Sequence, residues 1–160
     1  MIPYQTKSDK LAGTSLKEVK KSAMMVYKEI VKLTKGEPYI RSAYFRKRRK
    51  EKVFLNYFWN HLSQKSPKQR FKRLKYFKAA IDLIKNSRNK PISKLNPNNK
   101  NEVLHRFAGL TKNKELFYVQ IKEETKKGKN ILCPVFHQNK QKPSAYVECI
   151  NSWPRILLLE

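Results

Sequence analysis

The hydrophobic pattern of this chain changes its period between residues 87 and 102. Before that segment, apolar residues recur every three or four positions, which is the spacing of amphipathic helices. After it, short runs alternate apolar and polar residues, as half-buried strands do. The segment itself, SRNKPISKLNPNNKNE, is rich in proline and asparagine and indicates a linker. The pattern predicts an α+β fold, in which N-terminal helices precede a small antiparallel β-meander over residues 102–150.

Capping patterns mark where helices begin. SLKE at residues 15–18 fits a capping box, and the Ser-Pro pair at residues 66–67 places proline at a first helical position. Apolar residues between positions 40 and 62 fit another helical stripe that is interrupted near a basic run. We therefore expect residues 1–65 to form a basic helical extension. Residues 66–160 are expected to form a helix plus an antiparallel sheet.

Charge limits the choice of partner. The 160 residues include 37 Lys and Arg but only 12 Asp and Glu, which gives a net charge of +25. A domain this basic attracts polyanions, so RNA is the favoured partner, either free or on the ribosome. An acidic antitoxin or immunity protein is a second expected partner. No apolar run approaches the length of a membrane span, and two cysteines without CxxC spacing fit reduced thiols in a cytoplasmic protein.

The basic residues are concentrated in two stretches. RKRRK at residues 46–50 is the densest run, and the helix after residue 66 adds further cations. Between Lys52 and Asp82 no acidic residue offsets this charge, which favours a stripe that contacts phosphates over an ordinary solvated helix face. The residues predicted to bind nucleic acid here are Arg46, Lys47, Arg48, Arg49, Lys50, Arg70 and Arg73.

The strand LFYVQIKE at residues 116–123 offers a different kind of surface. Alternation places Tyr118, Gln120 and Lys122 on one face, opposite the apolar residues. An aromatic ring can stack on a base while an ammonium contacts a phosphate, so this face is a candidate polynucleotide platform. An ordinary solvated strand face fits the same pattern.

Metal-free RNA cleavage requires a base, an acid and a cation near the phosphate. His105 is a candidate for taking the proton of the ribose 2′-OH, with His137 as a second imidazole. Arg106 and Lys122 are candidates for holding the phosphate. His105 and Arg106 point to opposite faces of a regular strand, so both serve one site only if a bulge intervenes or if one of them has a packing role.

A metal-dependent alternative uses the triplet Gln120-Ile121-Lys122. It is similar to the [DEQ]xK tail of restriction-endonuclease-like nucleases, with Glu102 or Glu115 as the other ligand. Because a three-residue motif is common by chance, we rank this hypothesis third. The sequence contains no P-loop, GxGxxG, HExxH or GxSxG motif, and no cofactor or resident metal is expected.

Residues 70–137 resemble the barnase–EndoU–colicin–RelE-like nucleases, in particular the branch found in phage and mobile-element proteins. In that branch a helix precedes a meander that carries a His or Arg on an early strand, a GxT-like turn, an FxVxIKE strand, a Gly turn and a final strand. The corresponding stretches here are His105-Arg106, Gly109–Thr111, Phe117–Glu123, Gly128 and Cys133–Phe136.

The resemblance implies an α+β fold and a metal-independent endoribonuclease of toxin type. It points to His105, Arg106, Gln120 and Lys122 as site residues. The final strand reads Cys-Pro-Val-Phe where a small hydroxyl residue is typical, and this departure favours the runner-up hypothesis. That hypothesis is a nucleic-acid-binding module of a mobile element without catalytic activity.

Overall fold

A computed structural model of the chain describes residues 1–48, 51–133 and 136–137. Side chains are described for all of these except residues 47, 48, 136 and 137. In chain order the elements are β1 (Tyr4–Gln5), α1 (Leu16–Leu33), β2 (Tyr39–Arg41), a 3-10 turn (Phe45–Arg48), β3 (Lys52–Phe54), α2 (Asn56–Ser63), α3 (Pro67–Lys75), α4 (Phe77–Asn86), β4 (Ile92–Asn96), β5 (Asn99–Leu110), β6 (Leu116–Glu124), β7 (Lys129–Leu132) and β8 (Phe136–His137).

The caps expected from the sequence are present. Both bonds of the capping box form between Ser15 and Glu18 at the start of α1. The Ser66 side chain accepts the amide of Gln69, and Pro67 is the first residue of α3. The basic-aromatic helix after residue 66 divides at Tyr76 into α3 and α4, and α4 buries most of its length against the sheet. None of the helices among the described residues is both long enough and apolar enough to cross a bilayer.

The prediction of a small antiparallel meander placed after the helices is wrong. The strands form one mixed, strongly curled sheet in the order β1-β5-β6-β7-β3-β2, with β4 also paired to β5 and β8 to β6. The β1–β5 and β3–β7 pairs are parallel, and the other pairs are antiparallel. The N-terminal part thus supplies three strands of two or three residues each, which are too short to show alternation in the sequence.

The interpretation of residues 87–102 as a linker is also wrong in part. Residues 92–96 form β4, which pairs with β5 through a hairpin in which Asn96 faces Asn99. Pro97 and Asn98 make the two-residue turn, so the proline and asparagine signals mark a hairpin and not a boundary between units. The predicted strand over residues 145–150 lies outside the described residues.

Residues of all four described helices pack on one face of the sheet, which we call the inner face. Phe107, Phe117, Val119 and Ile121 belong to one buried cluster with residues of all four described helices. Tyr76, at the junction of α3 and α4, stacks on Phe117 with ring centroids 5.6 Å apart. Burial of these apolar side chains drives the packing of helices on sheet. We call the opposite side of β5 and β6 the outer face.

Candidate functional site on the β5–β6 hairpin

The register between β5 and β6 decides which candidate residues meet. The two strands pair without a shift from Glu102↔Glu124 to Leu110↔Leu116. Arg106 is directly opposite Gln120, and Tyr118 and Lys122 lie two positions to either side of Gln120. The alternation of strand side chains therefore brings these four residues to the outer face, together with Glu102 and Glu124.

A lysine held between two carboxylates is the centre of the outer face. The Lys122 Nζ lies 2.9 Å from Glu102 Oε1 and 3.5 Å from Glu124 Oε1. The Glu102 side chain is 13% exposed and that of Lys122 is 21% exposed. Asn96, at the end of β4, donates its amide to the second Glu102 oxygen at 2.7 Å. The group is therefore sheltered and ordered by contacts from three strands.

These contacts fix the ionisation of both groups. Burial by itself raises the pKa of the Glu102 carboxyl, but hydrogen bonds from Lys122 and Asn96 outweigh it, and the pKa lies below its ordinary value. Burial lowers the pKa of Lys122, but the hydrogen bond and charge of Glu102, with the charge of Glu124, raise it overall. At neutral pH the face therefore presents an ionised carboxylate beside a protonated ammonium.

Helix α2 brings a histidine towards this group. Burial lowers the pKa of His61, and the positive charge of Lys122 lowers it further. Cys133 follows β7, and its amide donates to the Gln120 carbonyl at 2.9 Å. Burial raises the pKa of the Cys133 thiol to about 11, so this thiol stays protonated and is a poor nucleophile.

His105 lies on the inner face, away from Arg106 and Lys122. It is 2% exposed, and the edge of its ring packs against Phe45 with centroids 5.1 Å apart. Its Nδ1 is 2.8 Å from the Ser93 Oγ, and its Nε2 is 3.0 Å from Glu123 Oε2. No bulge interrupts β5 against β6 here, so His105 and Arg106 do not converge on one substrate.

The other site predictions are distributed as follows. His137 lies in β8 opposite Phe117, and its side chain is outside the described residues. Glu115, proposed as a metal ligand, lies at the opposite end of the hairpin from Glu102, where it contacts Lys10 at 2.7 Å and the Tyr76 hydroxyl at 3.1 Å. Within the described part of the chain, no cluster of three or more His, Cys, Asp or Glu side chains could hold a metal ion.

The structure describes only part of the predicted basic stripe. Arg46 is exposed and lies 3.7 Å from Glu51, whereas Lys47 and Arg48 are described by backbone only, and Arg49 and Lys50 lie outside the described residues. Arg70 and Arg73 are half-buried on α3, and the Arg70 Nε is fully enclosed. The exposed cations of α3 are instead Lys68 and Lys72.

Helix α1 carries a row of lysines that the sequence analysis overlooked. Four of them recur on the side opposite the buried residues Val19, Ala23 and Ile30, and all four are exposed. None takes part in a salt bridge among the residues that the structure describes. The helical spacing of lysines and buried residues was the available signal. This lysine row consists of Lys17, Lys21, Lys28 and Lys32.

Sequence reasoning also missed Ser93 and Glu123 as partners of His105. Ser93 was assigned to a linker, and Glu123 was assigned to the end of a strand with no contact to the histidine. The period-2 pattern placed Glu123 on the core face, which is the signal that a buried polar partner was needed.

Comparisons with known proteins identify no relative: no family model matches the chain, and neither a curated protein nor a solved structure is detectably similar to it.

Proposed function

We propose that this protein is an RNA-directed, metal-independent endoribonuclease whose reacting groups lie on the outer face of the β5–β6 hairpin. The observation that carries the proposal is the ionised Glu102 carboxylate, 2.9 Å from Lys122, on the same face as Arg106 and Gln120. Cleavage through the ribose 2′-OH requires a proton acceptor beside cations that stabilise the phosphorane. The outer face combines these groups.

Each side chain has a role in this mechanism. Glu102 takes the proton of the 2′-OH, because its lowered pKa keeps it ionised at neutral pH. Lys122 and Arg106 hold the phosphate and stabilise its growing negative charge. The 2′-oxygen forms a bond to phosphorus, the bond from phosphorus to the 5′-oxygen breaks, and the leaving oxygen takes a proton from water. Tyr118 is half-buried beside them and offers a ring on which a base can stack. His105 is not the base in this proposal, because it is buried on the face opposite Arg106 and Lys122.

The net charge and the lysine row of α1 support binding of a long polyanion. The exposed lysines of α1 outnumber its acids, Glu18 and Glu29, so the row keeps a net attraction for phosphate and releases counterions on binding. An acidic protein that covers these surfaces would act as an antitoxin. A reducing compartment such as the cytoplasm suits the buried, protonated Cys133 thiol.

A second function, nucleic-acid binding without cleavage, is favoured by one specific observation. The two carboxylates beside Lys122 offset its charge, so the outer face is close to neutral while the lysine row on α1 is not. In that case α1 binds the polynucleotide, and the Lys122 group holds β4, β5 and β6 together.

The experiment is a cleavage assay with total RNA and single-stranded DNA, each with and without EDTA. We expect EDTA-resistant cleavage of RNA and no cleavage of DNA, because DNA lacks the attacking 2′-OH. Glu102→Gln keeps the shape of the side chain and removes the proton acceptor, so cleavage should fall by about 10²- to 10⁴-fold.

Glu29→Gln on α1 is the matched control, because it removes the same charge from an exposed acid far from the hairpin. It should not lower cleavage, because it leaves the outer face unaltered and removes a negative charge beside Lys28 and Lys32. RNA that is retarded on a gel but stays intact would replace the first function with the second. Cleavage only with added Mg²⁺ would contradict both and revive the metal-dependent hypothesis.

A further inference from the structure

The serine, histidine and glutamate on the inner side of the β4–β5–β6 sheet form a continuous hydrogen-bonded series. Ser93 on β4 is directly opposite His105 on β5, and their side chains meet at 2.8 Å. Glu123 on β6 lies on the same face, 3.0 Å from the other ring nitrogen. Each residue comes from a different strand, so the sheet register sets the whole geometry.

The buried end of the series suits one tautomer of the imidazole. Glu123 is 7% exposed and His105 is 2% exposed. A carboxylate accepts hydrogen bonds, so the reacting tautomer carries its proton on the His105 Nε2 and shares it with Glu123. The Nδ1 is then an acceptor, and the Ser93 hydroxyl donates to it. This is the polarity that prepares a serine hydroxyl for nucleophilic attack.

The exposed end of the series is open to a substrate. Ser93 is exposed on β4, which among the described residues pairs only with β5. Alternate amides of an edge strand point away from its partner, so an amide at Ser93 or at its neighbour Lys94 is directed to the open edge. Such an amide can donate to an oxyanion next to the serine.

An apolar surface lies beside the hydroxyl. Leu95 is two positions along β4 from Ser93, on the same face, and it is 65% exposed. It pairs with Val103, which is half-buried. A large exposed leucine next to an activated hydroxyl suits the apolar chain of an acyl group more than it suits a phosphate.

From this arrangement we infer that Ser93 is a nucleophile for esters with short apolar acyl groups. The Ser93 Oγ forms a bond to the acyl carbon while its proton moves to the His105 Nδ1. The bond between that carbon and the alcohol oxygen breaks, and the alcohol leaves with the proton from Nδ1. Water then attacks the acyl-serine and gives a proton to Nδ1. The carboxylic acid departs, and the proton returns to Ser93.

The test uses the full chain with a fluorophosphonate probe, which reacts with activated serines, and with p-nitrophenyl butyrate as the ester. We expect the probe to label one peptide, which contains Ser93, with fluoride as the leaving group. Ser93→Ala should remove both the labelling and the hydrolysis. Ser63→Ala is the matched control, because Ser63 is also exposed but its hydroxyl bonds only a helix carbonyl, and labelling should persist.

A second variant tests the buried end without removing the histidine. Glu123→Gln keeps an oxygen that can accept from the His105 Nε2 but removes the charge that stabilises the imidazolium. Labelling should slow by at least about tenfold while circular dichroism shows the fold intact. RNA binding should be unchanged in Ser93→Ala, since Ser93 lies on the face opposite Arg106. Labelling that is absent, or equal in the protein and in Ser93→Ala, would overturn the inference and leave the three residues as a structural link.

Discussion

On the inner face of the β5–β6 hairpin, polar side chains are buried and hydrogen-bond to one another, whereas on the outer face the polar groups keep partial access to solvent. His105 and Glu123 belong to the first kind, and Lys122 with Glu102 to the second. The two groups are adjacent in sequence and on opposite sides of one sheet. The difference shows that a histidine can be next to a basic residue in the sequence and still lie on the opposite side of the sheet.

His105→Ala should produce the largest loss of stability and separates the two faces most clearly. The change removes a hydrogen-bond partner of the buried Glu123 carboxylate and leaves a cavity beside Phe45. We expect the free energy of unfolding in urea to fall by about 3–5 kcal/mol. His61→Ala, at a half-exposed position, should change it by less than about 1 kcal/mol. Equal effects of the two variants would mean that the inner pair contributes little to folding.

Gly109→Ala tests how tightly the inner face is packed. A Cβ at this position would come within 2.5 Å of the Phe117 Cζ, because the ring lies over the glycine on the neighbouring strand. We expect a loss of about 1–3 kcal/mol in thermal or urea unfolding. Adding Phe117→Leu to Gly109→Ala should cost less than the two single changes summed, as a shortened side chain relieves the clash. Strict additivity would contradict this account.

Arg106→Ala tests the proposal that RNA binds the outer face. Removing one phosphate contact should weaken RNA binding and reduce the dependence of log affinity on log salt concentration by about one charge. Fluorescence anisotropy at several salt concentrations measures both. Lys112→Ala, in the exposed turn after β5, is the control and should have a smaller effect. If the control has the larger effect, the polynucleotide does not contact the outer face.

The smallest expected effect concerns the pH dependence that the outer face gives to stability. The pKa of Glu102 is lower in the folded chain than in the unfolded chain, so its ionisation stabilises the fold above the unfolded value and this contribution is lost as pH falls through the folded value. Glu102→Gln should therefore weaken the pH dependence of the free energy of unfolding below about pH 4.5. At about pH 7–9 that dependence should stay the same. An unchanged acid side would mean that the Lys122 contact is not formed in solution.

Strong local patterns predicted a large part of the fold. The capping residues placed the starts of α1 and α3, since Ser15 and Ser66 satisfy helix amides wherever the helix packs. Strand alternation placed Tyr118, Gln120 and Lys122 together, because successive side chains of an extended strand must point to opposite faces. These features depend on neighbours in sequence only.

Long-range pairing accounts for what sequence reasoning missed. The strands at residues 39–41 and 52–54 form because they pair with each other and because the second of them also pairs with β7. A strand of three residues is too short to show a hydrophobic period in the sequence. β4 was not predicted, because the proline and asparagine of its turn were interpreted as signs of a linker. The partner of His105 could not be named from the sequence, since Ser93 and Glu123 reach it only through the registers of two separate strand pairs.

By itself, the sequence determined the net charge of +25, the helix starts and the alternation that divides residues 116–123 into two faces, because each depends on composition or on contacts within a few residues. Only the tertiary structure decided that the N-terminal segments complete the sheet and that Glu102 meets Lys122. It also decided that His105 faces the core between Ser93 and Glu123. The physical reason is that register, and not proximity along the chain, sets which side chains of a sheet meet.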